Sequence, residues 1–402
     1  MPAPSDTNRA FVALAATTAL QIFASLAATA PSVLAPEIAR TFAIAPKWIG
    51  VFVGLVYAGA MLASLACGGF IERFGAIRVS QAGVMACAVG TLAIAVAPHS
   101  AVWLLIAAAL TIGLGYGPIT PASSHVLIST AAPSRLALTF SIKQTGVPAG
   151  AALAGAALPA FALLAGWRLS LAVAALIGVV VTASAQPVRP LLDGDRRPAQ
   201  PLSTANIIDP LRIVWRSKTL VELALLSFVY AGTQVCVTSF LVVYLTESLE
   251  WTLVGAGFAL TAATLGGVIG RIAWGAVADR VLRPRSALGI IGLAAALCGA
   301  TLAVALPSWP TGAVIVLATF FGATAIGWNG VQLSEVARHA PAGTAGAVTG
   351  ASAFITFSGV VAGPPIFALL AAATDSYRAG FFVFAAFSGV SGILMLLTRS
   401  RR

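Results

Sequence analysis

Charge is scarce in this chain: only 9% of its 402 residues are Asp, Glu, Lys or Arg. With 59% hydrophobic residues and a mean hydropathy of +0.97, that scarcity excludes a water-soluble core wrapped in a polar surface. Acid is scarcer still, 12 residues against 23 basic ones, and the net charge of +11 is scattered over short stretches rather than gathered on one face. A nucleic-acid partner is therefore not expected. The three histidines, His99, His125 and His339, are dispersed, and the four cysteines, Cys67, Cys87, Cys236 and Cys298, lie singly in apolar runs. No metal-ligand spacing, phosphate-binding glycine loop or nucleophile motif is present, so neither a cofactor nor an enzymatic activity is expected. The thiols read as small buried hydrophobes.

What the chain has in abundance is long apolar runs. The first, Phe11 to Leu34, is too long for the core of a signal peptide and reads as an uncleaved span. Runs follow at Trp48–Phe70, Val79–Val96, Val102–Ile128, Leu136–Leu164 and Leu169–Ala185. A second series occupies Leu220–Leu245, Val254–Val277, Ala287–Leu306, Ala313–Val336, Ala345–Ala373 and Phe381–Leu397. Each meets the ~20 helical residues a bilayer core requires. Helix is the expected form, because backbone groups in lipid must find partners within their own segment. Proline at Pro31, Pro36, Pro118, Pro121, Pro148, Pro364 and Pro365 predicts kinks or ends. Small residues four apart, Gly146, Gly150 and Ala154, and likewise Gly267 and Gly275 around Arg271, predict closely approaching helices.

The pattern is written twice. Gly68-Gly69-Phe70-Ile71-Glu72-Arg73-Phe74-Gly75 returns as Gly275-Ala276-Val277-Ala278-Asp279-Arg280-Val281-Leu282, Phe161-Ala-Leu-Leu-Ala returns from Phe367, and Trp167-Arg168 returns as Tyr377-Arg378. The expected domains are a six-helix bundle over 1–185, a linker over 186–218 and a second six-helix bundle over 219–402. With the N-terminus placed in the cytoplasm, 17 of the 23 bases fall inside, four outside (Arg40, Lys47, Arg168, Arg378) and two within spans. That asymmetry predicts a multi-pass protein of a bacterial inner membrane with both termini cytoplasmic. Within the linker, Asp209-Pro210 predicts an N-cap and first helical residue, and the interleaved apolar and basic residues to Arg216 predict a short helix on the membrane surface.

The two bases within spans are Lys143 in the fifth and Arg271 in the eighth, with no carboxylate comparably deep. Counting eight residues from Arg135 and eight from Asp279 puts both at roughly 12 Å from the cytoplasmic boundary. Each costs about 2.5–3.5 kcal/mol on an insertion scale, so an interior cavity is the expected address. A point charge and a forked guanidinium without internal counter-ions suit an anion, a carboxylate above all. The structural alternatives are snorkelling for Lys143 and a pair with Glu335 or Glu222 for Arg271. Ser227, Tyr230, Gln234 and Thr238 share a face of the seventh span, as do Tyr116, Thr120 and Ser124 on the fourth. With Gln21, Trp328 and Asn329 they predict a mixed polar and aromatic pocket, or else interhelical hydrogen bonding.

The Gly-x-x-x-acid-Arg stretch between the second and third spans of each half resembles the signature of the major facilitator superfamily, and the resemblance covers nearly the whole chain. Glu72 stands where the family usually has aspartate, Ala76 where it is usually basic, and Leu282 where a second glycine is expected. The resemblance implies a fold of twelve transmembrane helices in two pseudo-symmetric bundles, all-α, working by alternating access. It also implies a conformational latch at Gly68, Glu72, Arg73, Gly75, Gly275, Asp279 and Arg280. Gly270-Arg271-Ile272-Ala273-Trp274-Gly275 resembles the eighth span of oxalate/formate exchangers and monocarboxylate carriers, where an arginine binds the substrate carboxylate. Their partner lysine is in the eleventh span, which has no base here; Lys143 is on the fifth, its counterpart in the repeat. The expected function is carriage of a small organic anion, a monocarboxylate foremost, across the inner membrane by a monomer in contact with membrane lipids. Arg271 would be the primary ligand, Lys143 the second cation, and Tyr230, Gln234, Gln21, Asn329 and Tyr116 the other lining residues, with the proton a candidate co-substrate. Two alternatives remain: a drug/proton antiporter, whose fifth-span pattern Gly146-Val147-Pro148-Ala149-Gly150 resembles only in part, and a non-transporting sensor.

Overall fold

The computed structural model describes residues 6–44, 48–203 and 205–397, so Lys47, Arg399, Arg401 and Arg402, which count toward the predicted orientation, lie outside the described residues. Among the described residues all regular structure is helical. Twelve spans are long and apolar enough to cross a membrane: Asn8–Val33, Val51–Phe74, Ala76–Val96, Val102–Thr130, Pro133–Ala165, Trp167–Ser184, Lys218–Ser248, Gly255–Arg280, Pro284–Ala303, Thr311–His339, Ala345–Thr374 and Tyr377–Leu397. Large apolar side chains such as Phe11, Leu163, Leu164 and Leu369 stand exposed on their outer faces. In water such faces would be costly; against lipid tails they are the expected surface.

Three spans are interrupted. The fourth divides into Val102–Tyr116 and Ile119–Thr130, the fifth into Leu136–Gln144 and Gly146–Ala165, and the tenth into Thr311–Ala325 and Asn329–His339. Proline explains two of the three. Pro148 has no N–H to give the carbonyl of Gln144, and its ring crowds that carbonyl; Pro121 does the same to Gly117. Pro364 and Pro365, by contrast, lie inside the continuous helix Ala345–Thr374.

The chain resolves into two compact units. One comprises Met1–Ala132, Lys143–Arg216 and Ala340–Phe354; the other comprises Pro133–Ile142, Ser217–His339 and Ile355–Arg402. These differ from a simple division of the sequence in two ten- to fifteen-residue exchanges. Pro133–Ile142 joins the second unit because Asp279 accepts the N–H groups of Ala137 at 3.1 Å and Leu138 at 2.7 Å, and Arg338 donates to the Pro133 carbonyl at 3.2 Å. Ala340–Phe354 joins the first because Gly346 and Gly350 pack directly on Ile71, His125 and Ser64.

The internal repeat reaches the hydrogen bonds. In the first unit Arg168 donates to the Ala95 carbonyl at 2.7 Å; in the second Arg378 donates to the Ala305 carbonyl at 2.9 Å; the two pairs have the same separation of 73 residues. Each arginine thereby satisfies a carbonyl at the C-terminal end of a neighbouring span, where no helical N–H remains to do so.

Two expectations require correction. Glu72 and Arg73 belong to the last turn of the helix Trp48–Phe74 rather than to a loop, and the turn into the next span is the single residue Gly75. The linker helix runs from Ala205 to Arg216, so Asp209 is not its N-cap and Pro210 is not its first residue. The helix starts earlier because Asn206 already organises that end, its Oδ1 accepting the Ser203 N–H at 2.8 Å. Asp209 instead accepts from Arg212 at 3.2 Å. Val214 is buried against the second span side of this unit while Ile207, Ile208 and Trp215 remain exposed.

Candidate functional site

In the first unit the interruption of the fifth span sets the position of Lys143, which is 1% exposed. Its Nζ donates to Gln21 Oε1 at 2.7 Å, to Gln144 Oε1 at 3.0 Å and to Thr120 Oγ1 at 3.2 Å. These three acceptors are neutral oxygens that take hydrogen bonds from the ammonium. Snorkelling is thereby excluded in this conformation. Gln21 is fully buried; its Oε1 also accepts from Thr120 at 3.2 Å, whereas its Nε2 has no hydrogen-bond partner among the described residues. Gln144 was not singled out by sequence reasoning, although Pro148 four residues on marks the break that holds it beside Lys143. Tyr116 lies edge-on to Tyr57, their ring centroids 6.4 Å apart.

In the second unit Arg271, 2% exposed, lies against the interruption of the tenth span. Its Nε donates to the Ile326 carbonyl at 3.1 Å, and one turn on, Trp274 Nε1 donates to the Ala323 carbonyl at 3.1 Å. A broken helix leaves such carbonyls without an internal partner, and the two side chains take that place. The acids considered as partners for Arg271 have cations of their own: Glu222 is bonded to Arg285, and Glu335 lies 3.5 Å from Arg338 and 3.7 Å from His339.

The predicted polar face of the seventh span divides. Tyr230 is buried, with its hydroxyl donating to the Leu288 carbonyl at 2.9 Å and its ring edge-on to Trp328 at 5.7 Å; Ser227 accepts from Thr356 at 2.7 Å. Thr238 is exposed and bonds its own helix. Three buried polar atoms on these elements have no hydrogen-bond partner among the described residues: Gln234 Oε1, one turn beyond Tyr230, Trp328 Nε1 and Asn329 Oδ1.

The latch residues are tied down unit by unit. Gly68 lets Ala347 approach so closely that a Cβ would come within 2.5 Å of the Ala347 Cβ; Gly275 does the same for Ser141, at 2.5 Å from its Oγ. Asp279 caps the start of the fifth span and lies 3.5 Å from Arg338, Arg280 is exposed at the helix end, and Arg73 lies over the Phe74 ring at 5.4 Å. In the first unit the linker forms a strap with three anchors. Asp193 accepts the N–H groups of Ile77 at 2.8 Å and Arg78 at 3.1 Å, Asp195 bonds His125 Nε2 at 2.6 Å, and the Arg197 N–H donates to the Glu72 carbonyl at 2.6 Å. Glu72 also lines a cavity of about 180 Å³ with His125, Asp195, Arg196 and Arg197. Burial pushes the Asp193 carboxyl above its ordinary value, opposed by the two N–H groups and by Arg189.

The hydrogen bond from His125 holds the Asp195 carboxyl below its ordinary value, against some desolvation. A depressed carboxylate contributes stability in full above its unfolded value, about 3.9, and loses it as pH falls through the lower folded value. Asp195→Asn is therefore expected to lower the thermal unfolding midpoint at pH 5 and to converge with the unaltered protein as pH approaches 3. The side chain is 56% exposed, so the contribution is at most about 1 kcal/mol. A difference that grows toward acid would contradict the assignment.

Residues 17–364 match the family model described as Major Facilitator Superfamily, and the chain belongs to that family. It is thus a multi-pass membrane transporter and not an enzyme. Among curated proteins it is 25% identical, over 332 residues, to an uncharacterized MFS-type transporter of Mycobacterium tuberculosis, covering 80% of this chain and 70% of the relative. Its fold is similar to those of the Escherichia coli fucose:proton symporter FucP (TM-score 0.76, 17% identity, 96% of this chain and 98% of that one) and the human organic anion transporter MFSD10 (0.71, 17%, 98% and 100%). It is also similar to the proton:xylose symporter XylE bound to 6-bromo-6-deoxy-D-glucose (0.73, 13%, 98% and 96%). At these identities the likeness is one of fold.

Proposed function

We propose that this transporter carries a small organic anion with a single carboxylate, using Arg271 as the principal carboxylate ligand and Lys143 as a second cation. The observation that carries this reading is that two cations are buried at helix interruptions in spans of the bundle, Lys143 1% and Arg271 2% exposed. Retaining two charges in an apolar interior is expensive, and an anionic guest offsets that cost in the bound state. Gln21, Gln234 and Asn329 act as orienting groups, each with an unpaired buried polar atom. Tyr230 and Tyr116 contribute aromatic walls.

The placement of arginines supports insertion in a bacterial inner membrane with both termini in the cytoplasm, and the duplicated sequence supports rocking of a 1–185 bundle and a 219–402 bundle about the 186–218 linker. An organic anion transporter and two proton symporters share the fold, which makes a proton the first co-substrate to test. The test is uptake of radiolabelled monocarboxylates into proteoliposomes of the purified protein, with and without an inward proton gradient. Saturable uptake that is lost in both Arg271→Ala and Lys143→Ala is expected; uptake that survives both substitutions would sink the site. Uptake indifferent to the gradient would remove proton coupling alone.

A further inference from the structure

The linker helix Ala205–Arg216 has three faces, and the protein covers only one of them. Asn206, Pro210, Ile213 and Val214 recur at steps of three and four and turn toward the second span. Pro210 and Val214 are buried, and Asn206 lies so close to Gly69 that a Cβ there would collide with its side chain. Ile207, Ile208, Leu211 and Trp215 form the second face, with Ile207 37%, Ile208 43% and Trp215 60% exposed. Asp209, Arg212 and Arg216, all exposed, form the third. The packing behind the helix is loose: Asn206, Pro210 and Ile213 line a cavity of about 340 Å³ with Gly68 and Gly69.

What covers the apolar face follows from where the helix is docked. Gly69 stands in the last turns of a membrane span, and its chain neighbour Phe70 stacks on Phe74 with ring centroids 6.2 Å apart. These rings are 44% and 40% exposed, as on a surface that meets lipid, and Arg73 lies over Phe74 at 5.4 Å. The helix is therefore docked at the level where the apolar surface of the span gives way to charge. Tryptophan and aliphatic side chains beside arginines are the composition of a helix lying in that layer. Arg212 is held by Asp209 at 3.2 Å, whereas the Arg216 side chain has no ion pair or hydrogen bond among the described residues. We infer that this helix is an anchor in the headgroup layer that gathers anionic phospholipid, with Ile207, Ile208, Leu211 and Trp215 toward the acyl chains and Arg216 toward the headgroups. One uncompensated base near a bilayer surface favours anionic over zwitterionic lipid by about fivefold. This seat does not depend on what the transporter carries.

The test places the full-length chain in nanodiscs of equimolar phosphatidylcholine and phosphatidylglycerol, with bromine on the acyl chains of one lipid class at a time. The Trp215 signal is the fluorescence difference between the unaltered protein and Trp215→Phe. It is expected to be quenched by the brominated chains and shielded from acrylamide, with brominated phosphatidylglycerol about fivefold more effective than brominated phosphatidylcholine. Arg216→Gln is expected to bring that ratio close to one. Asp209→Asn, which frees Arg212, is expected to raise it, by up to about fivefold again. The comparison of the two brominated lipids within the unaltered protein stands even where a charge variant fails to fold. Quenching of Trp215 by acrylamide and not by bromine would put the apolar face in water and overturn the anchor. Equal quenching by both lipid classes, unchanged in Arg216→Gln and Asp209→Asn, would overturn the anionic selectivity.

Discussion

Arg271→Ala is expected to lower carboxylate uptake by about 30-fold or more, and Arg271→Lys to recover only a small part of the loss. Removing one member of a desolvated charge pair costs about 2–5 kcal/mol, which corresponds to roughly 30- to several-thousand-fold in affinity. Lysine restores the charge but not the fork. In the proposed site the fork would have two tasks: Nε holds the Ile326 carbonyl at 3.1 Å, and the terminal nitrogens would meet the carboxylate. A lysine ammonium at position 271 can serve as a point charge, yet it cannot tie the broken tenth span and present two parallel donors together. Uptake kinetics in proteoliposomes, normalised to protein with an unchanged unfolding midpoint, check this. Full activity in the lysine variant would show that charge alone suffices there, and full activity in the alanine variant would remove Arg271 from the site.

The elements that composition and periodicity can report are the ones the sequence reported well. Twelve spans were legible because in lipid a helix must be both apolar and about 20 residues long, which leaves a plain trace in the chain. The repeat was legible as Trp167-Arg168 and Tyr377-Arg378, and the structure extends it to matched hydrogen bonds on Ala95 and Ala305. Burial of Lys143 and Arg271 was also readable, from cost alone. What was not readable depends on partners far apart in sequence. Asp193 looked like one polar residue of a solvated linker, yet it is 1% exposed and bonded to N–H groups 115 and 116 residues away. Gln144 beside Lys143 could have been found from Pro148; the break near Trp328, which has no proline to announce it, could not. Nor does any local pattern say that the side-chain oxygens of Gln234 and Asn329 end without a hydrogen bond, since that depends on everything packed around them.

Gly75→Ala is expected to be the costliest addition of one methyl group at the end of the bundle that carries the basic loops, and its cost has two separable parts. Gly75 is the entire turn between the second and third spans, at φ +95° and ψ 151°, a conformation that a residue with a Cβ adopts only under strain. A Cβ there would also come within 2.3 Å of the Asp193 Cγ, on a side chain held in place by Ile77, Arg78 and Arg189. Strain of about 1–3 kcal/mol and an overpacking cost of similar size give a loss of about 2–6 kcal/mol. Asp193→Ala on its own removes the acceptor for the first N–H groups of the third span and the negative charge at its N-terminus, a loss of about 1–2 kcal/mol. In Gly75→Ala/Asp193→Ala the collision is gone while the strain and the missing cap remain, so the double variant should lose at least about 1 kcal/mol less than the sum of the single losses. Unfolding midpoints of the three variants in one detergent supply the comparison. Strict additivity would mean that the Asp193 carboxylate does not lie beneath Gly75, and the strap from the linker to the third span would have to be redrawn; a shortfall confined to the double variant is what a carboxylate clamped between the turn and the helix end requires.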